Sequence, residues 1–282
     1  MLATYRDHLL GTIGQPRRSR PLSRRTVNLR LTVAIEFYKY MTESPGLDPA
    51  GRVLLARRLP VFRRLRVRLD RKLPRALTGE QCSQLCDRLR SVYRLMFQWA
   101  LCTGLRTASL VSITLGDFIS LLRTSSQKLI RVRAKGGKTI QVHVPQALIE
   151  ATARYVEIER VLCARPDSDR VSSALFLNTQ GSPVRGKAYY RAFARAARWA
   201  HVSARPHQAR STFATRVRDK LDALDRRGAG IDAVKIVQSL LAHADARTTE
   251  QYLESIDVPS LDVLRVLDEL AGVTVLSPCP HR

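Results

Sequence analysis

A chain of 282 residues with 45% hydrophobic content can build one large or two modest packed domains. No window approaches the roughly eighteen uncharged apolar residues of a membrane-spanning helix, and the opening MLATYRDHLL lacks a secretory signal pattern, so a soluble, intracellular protein is expected. With 48 Lys and Arg against 24 Asp and Glu, a net charge of +24, the expected partner is a polyanion, because each neutralised phosphate releases condensed counterions; charge alone does not separate DNA from RNA or an anionic membrane.

Residues 1–76 hold 18 basic and five acidic residues, a balance of +13, and form a distinct basic module. Its pattern is helical. A short helix at Thr4 to Leu10 is followed by a loop with Gly14, Pro16 and Pro21, then Ser23 as N-cap of a helix through Met41. Val27, Leu31, Val33, Ala34, Phe37 and Tyr38 are its expected apolar face. VFRRLRVRL reads as a further helix, with Val61, Leu65 and Leu69 inward and Arg63, Arg64, Arg66 and Arg68 around them. Like charges at that spacing repel unless phosphates offset them, so this face, with Arg24, Arg25 and Lys72, is the candidate DNA surface; a plain solvated face is the alternative. RKLPRA, residues 71–76, reads as a linker because Pro74 disfavours helix at Leu73.

Thr78 and Gln81 have capping-box spacing for a helix over GEQCSQLCDRL. Leu89, Val92, Leu95, Met96 and Trp99 stripe the next helix, which Thr103-Gly104 ends before Arg106 opens another turn. Leu129 to Ala134 and Thr139 to Val144 alternate around Lys135-Gly-Gly-Lys138, a hairpin of two strands. Residues 146–163 read as an amphipathic helix, and PDSDRVSSALFLNTQGSPVRGKAYY as a loop around a short apolar run. A helix follows with Tyr189, Tyr190, Phe193, Ala197 and Trp199 beginning or lining it beside Arg191, Arg195 and Arg198. VRDKLDALDRRGAG reads as a helix extension or insertion, and Ile231 to Leu241 as a buried helix ending just before His243. The tail VPSLDVLRVLDELAGVTVL carries an apolar face of Leu261, Leu264, Val266, Leu267 and Leu270, to pack either on its own chain or on a neighbouring protomer. Cys82, Cys86, Cys102, Cys163 and Cys279 are odd in number and lack CxxC pairing, which points to reduced thiols; no metal or cofactor is expected.

From His207 to Tyr252 the chain holds His207, Arg210 three residues later, His243, and Tyr252 nine residues after that. Fixed cations beside a phenol, in so basic a chain, suggest a phosphodiester gripped while the phenol attacks it. In motif order and spacing, TGLRTASL with Arg106, the KGGK turn, His207, Arg210, His243 and Tyr252 resemble the tyrosine recombinases, the phage-integrase type of site-specific DNA recombinase. The resemblance covers roughly residues 78–255.

It implies a mainly α-helical fold with a small β-hairpin: a helical, SAM-like core-binding domain over residues 1–70, a linker over 71–77, a catalytic domain over 78–255 and a C-terminal helix over 256–282 for protomer contact. Arg106 and Arg210 would clamp the phosphate, each presenting a permanently charged planar fork. Tyr252 would be the nucleophile, His207 the general base and acid, and His243 a hydrogen-bond donor to the phosphate. The family's lysine maps to Lys135 as general acid, with Lys138 as the alternative. The implied partner is double-stranded DNA carrying specific sites, held by a homotetramer on two duplexes, in the cytoplasm of a prokaryote and away from membranes. Cutting and rejoining would run through a 3′-phosphotyrosine without metal or ATP. Three positions depart from the family pattern: Ser109 for an acidic residue, Ser211 for a second histidine and Ala242 for glycine. The arm-binding domain of some phage integrases is not expected. The rival readings are a type IB topoisomerase-like enzyme that reseals without exchanging partners, and an inactive architectural or regulatory DNA-binding protein.

Overall fold

The structure is a computed structural model describing residues 2–11, 21–44, 46, 48–69, 75–123, 128–133, 137–163, 173–230, 232–242 and 260–275. It divides into two compact units, residues 1–73 and 74–282. Both units are built from helices, with one two-stranded sheet in the second among the described residues.

The first unit contains α1 (Leu2–Leu10), α2 (Arg24–Glu43) and α3 (Pro49–Arg64). The Ser23 hydroxyl accepts the Thr26 N–H at 3.2 Å, and Asp48 accepts the Gly51 N–H at 3.1 Å with Pro49 in the first turn. Leu9, Val27 and Leu31 form the small core.

Two expectations are corrected here. The buried stripe of α2 is Val27, Leu31 and Ile35, spaced four apart, whereas Val33 and Phe37 are 65% and 58% exposed. A residue two positions beyond a core residue lies about 200° round the helix, so 33 and 37 cannot share the face of 27, 31 and 35. VFRRLRVRL is not one helix, since α3 ends at Arg64. Val67 instead pairs with the Asn28 side chain: Asn28 Nδ2 donates to the Val67 carbonyl and the Val67 N–H donates to Asn28 Oδ1, both at 2.8 Å. The amide imitates a peptide and draws Val67 onto the core, leaving Val61 and Leu69 exposed. Arg24, Arg25, Arg63, Arg64, Arg66 and Arg68 are all exposed. Lys72 lies outside the described residues.

In the second unit, α4 (Gly79–Arg88) starts with the expected capping box, Gln81 N–H to Thr78 Oγ1 at 3.1 Å and Thr78 N–H to Gln81 Oε1 at 3.2 Å. The centre is α5 (Ser91–Thr103), where Phe97, Ala100, Leu101 and Cys102 are buried along with Val92, Leu95, Met96 and Trp99. A helix apolar on every side belongs inside a core. Around it come α6 (Thr107–Leu110) and α7 (Leu115–Arg123), then β1 (Leu129–Arg133) paired antiparallel with β2 (Thr139–His143). Leu129 faces His143 and Arg133 faces Thr139, so Ile130, Val132, Ile140 and Val142 all point into the core.

Next, α8 (Gln146–Arg154) runs on through a π-helical turn, Tyr155–Arg160, into α9 (Val161–Cys163). The apolar run Leu175, Phe176 and Leu177 belongs to the core: Leu175 N–H donates to Ile113 O at 3.0 Å, and Leu177 N–H to Tyr155 Oη at 2.9 Å. After α10 (Gly186–Trp199), α11 (Gln208–Leu224) runs on into a π turn over Asp225–Ala229 that is kinked at Gly228 (φ +92°), so the charged VRDKLDALDRRGAG extends the helix only as far as Arg227. The unit closes with α12 (Ala233–Ala242) and α13 (Ser260–Val275).

The last helix packs on its own chain, against α5, α8 and α11, burying Val263, Val266, Leu267 and Ala271. Its polar edge is tied as well: Lys220 meets Glu269 at 3.2 Å, Arg216 donates to Thr274 Oγ1 at 3.3 Å, and Asp268 accepts the Gln146 N–H at 3.2 Å.

Candidate active site

The site is built where α5 stops. Gly104 adopts φ +64° and donates its N–H to Ala100 O, a left-handed cap that an L residue with a Cβ resists. Space makes the same demand: a Cβ at Gly104 would lie 2.6 Å from Phe213 Cδ1 on α11 and 3.0 Å from Leu241 Cδ2 on α12. Three helices therefore converge on one glycine. Just beyond it, Leu105 is buried and its N–H reaches Thr103 Oγ1 at 3.3 Å, while Thr103 Oγ1 donates to Trp99 O at 2.6 Å. This anchors the turn that delivers Arg106, exposed, to the N-cap position of α6.

Arg210 comes to the same place from α11. Its Nη1 donates to Gly104 O at 2.6 Å and its Nη2 to Leu241 O at 2.5 Å, so one guanidinium ties the ends of α5 and α12 together. Two of its five N–H groups are used in this way. Burial first, and then the charge of Arg106, pull Arg210 from the ordinary 12.5 down to about 10. It stays cationic at neutral pH, at a cost to the folded state that a bound anion would relieve. Among the described residues, no carboxylate lies within ion-pair distance of either arginine. Ser109, standing where the resemblance leads one to expect an acid, is buried in α6.

His207 is the exposed N-cap residue of α11; its side chain caps nothing, and its carbonyl accepts the Arg210 N–H at 3.2 Å. Arg106 and Arg210 thus come together where α5, α6 and α11 join, and His207 stands at the start of α11, three residues before Arg210. Lys138 is exposed at the hairpin, just ahead of β2. Lys135, His243 and Tyr252 lie outside the described residues. Ser211 is half-buried on α11, and Ala242 closes α12.

Sequence reading missed two residues at this junction. The Thr212 hydroxyl accepts the Leu77 N–H and donates to Gln208 O, both at 2.8 Å. Gln208 Nε2 donates to Arg75 O at 3.0 Å, and its Oε1 accepts the Arg205 N–H at 2.7 Å. Their spacing of four puts both on one face of α11, but nothing local names a partner 135 residues away.

Residues 75–257 match the phage integrase family. The tyrosine recombinase XerC of Thermodesulfovibrio yellowstonii is 26% identical over 245 residues, covering 82% of this chain and 71% of that protein. The tyrosine recombinase XerA of Pyrococcus furiosus is 27% identical over 244 residues, covering 83% and 71%. A crystal structure of XerA recombinase aligns over 94% of this chain and 87% of that one, at 17% identity and a TM-score of 0.47. The family match spans well over half of the chain and includes both arginines and His207, so this protein belongs to the phage integrase family of tyrosine recombinases.

Proposed function

We propose that this protein is a site-specific recombinase that cuts and rejoins double-stranded DNA through a 3′-phosphotyrosyl intermediate on Tyr252. The observation that carries the reading is the pairing of Arg106 with Arg210, two cations in one site without a carboxylate among the described residues. Such a pair suits an anion on which charge builds, and a phosphodiester passing through a pentacoordinate transition state is one. Each well-placed donor of this kind contributes about 3–4 kcal/mol.

In this mechanism Arg106 and Arg210 hold the non-bridging oxygens. His207 takes the phenol proton as Tyr252 attacks and returns it on resealing. Lys135, or Lys138 in its place, protonates the departing 5′ oxygen, and His243 donates to the phosphate. The covalent link conserves the bond energy, so rejoining to another 5′ hydroxyl needs neither ATP nor metal. Four protomers on two duplexes would exchange strands. The basic first unit, with Arg24, Arg25, Arg63, Arg64, Arg66, Arg68 and Lys72, would grip the DNA backbone. The setting would be the cytoplasm of a prokaryote.

Trapping on nicked suicide DNA, carrying candidate sites from the gene's own neighbourhood and with a chelator present, tests this. Wild type should give a denaturation-resistant adduct and Tyr252→Phe none. Site-specific binding without any adduct would leave an architectural DNA-binding protein. An adduct without exchange between duplexes would leave a topoisomerase-like enzyme.

A further inference from the structure

The geometry points to Thr212 and Gln208 as positioning residues that set Arg210 by fastening α11 to the first residues of the second unit, an inference that rests on the proposed function. Arg75 and Leu77 enter this unit directly after the junction at residues 73 and 74. Their backbone is held by α11 alone among the hydrogen bonds described: Leu77 N–H to Thr212 Oγ1, and Arg75 O from Gln208 Nε2. Leu77 and Thr212 are both buried, so a peptide N–H without this hydroxyl would have no water to turn to.

Helical geometry then links the two ends of the turn. Thr212 follows Arg210 by two residues and Gln208 precedes it by two, so the fastened residues bracket the arginine. Arg210 must reach Gly104 O and Leu241 O at once, on two other helices. Sliding or rotating α11 by a fraction of a turn breaks at least one of those bonds. The entry segment therefore fixes the register of α11, the helix that bears His207 and Arg210.

The test is single-turnover cleavage of suicide DNA by the full chain, with DNA affinity and melting temperature measured in parallel. Thr212→Val should keep site affinity within about twofold and slow cleavage about tenfold or more, and Thr212→Ser, which retains the hydroxyl, should restore the rate. In an Arg210→Lys background Thr212→Val should add nothing, because the group it positions is already lost. A merely structural role predicts the opposite: the two effects multiply, and the slowing follows the loss of melting temperature. If Thr212→Val does not fold, the half-buried Gln208→Ala carries the same comparison, with a smaller slowing expected. Wild-type cleavage at an unchanged rate in both variants overturns the positioning role and leaves the recombinase reading standing. Absence of cleavage by wild type defeats the recombinase reading itself, and with it the role proposed for these residues.

Discussion

At the scale of single residues, the site depends on what Gly104 lacks. A methyl group there meets Phe213 and Leu241 at 2.6 and 3.0 Å and must also accept φ +64°. Gly104→Ala should therefore destabilise the second unit by about 2–4 kcal/mol, combining backbone strain with overpacking, as measured by urea unfolding. A cost below about 0.5 kcal/mol would mean that α11 and α12 do not close on this turn as described. The glycine was legible in the sequence as a helix stop. Its second role, as the contact point of two helices more than a hundred residues downstream, was not, since neither Phe213 nor Leu241 is a local neighbour. The thiols follow a similar division: odd number and spacing pointed to reduced cysteines, and the fold buries Cys102 among apolar side chains, which pushes its thiol up to about 12.

Elements show how docking brings titratable groups together. Where α13 crosses the end of β2, His143 Nε2 lies 3.7 Å from Asp268, too far for a hydrogen bond, and its side chain is only 9% exposed. Burial lowers the His143 pKa below the ordinary 6.5, and Lys128 pulls it the same way, while Asp268 opposes both. The folded state thus binds this proton less readily than the unfolded chain. Stability should be complete above the unfolded value and decline as pH falls through about 6.5, by up to about 1.4 kcal/mol per pH unit. Guanidinium unfolding at pH 7 and pH 5.5 should show a smaller loss for His143→Gln than for wild type. An equal loss would mean that Asp268 compensates for the burial of the imidazole. The apolar period made α13 legible as a helix, but a period has no address. Its docking on α5, α8 and α11 depends on complementary surfaces, including the Glu269–Lys220 pair, from three separated segments.

For the whole molecule, the excess of 24 positive charges dominates partner choice and is unevenly placed, with +13 in the first 76 residues. If six or more phosphates are neutralised, affinity for duplex DNA should fall about 10³-fold or more as salt rises from about 50 to 200 mM, with a linear slope in log–log form. A fluorescence anisotropy titration measures that slope, and a flat profile would remove the electrostatic basis for DNA binding. The charge also explains the need for structure around the arginines. Bringing Arg106 and Arg210 together costs free energy that only the packing of α5, α11 and α12 supplies, and that cost disposes the site towards anions.

By itself the sequence determined the element types over most of the second unit, because capping pairs, the α5 stripe and hairpin alternation are local and redundant. It also marked Arg106, His207 and Arg210 through their order along the chain. Only the tertiary structure decided that α3 stops at Arg64 and that Leu175 to Leu177 are core rather than loop filling. Each of these depends on a distant partner: the Asn28 amide for Val67, and Ile113 and Tyr155 for the apolar run. The same holds for Thr212 and Gln208, whose partners Leu77 and Arg75 lie 135 and 133 residues away. A hydroxyl on a helix carries no mark of the peptide it will meet, so periodicity reveals the helix and packing alone selects the contact.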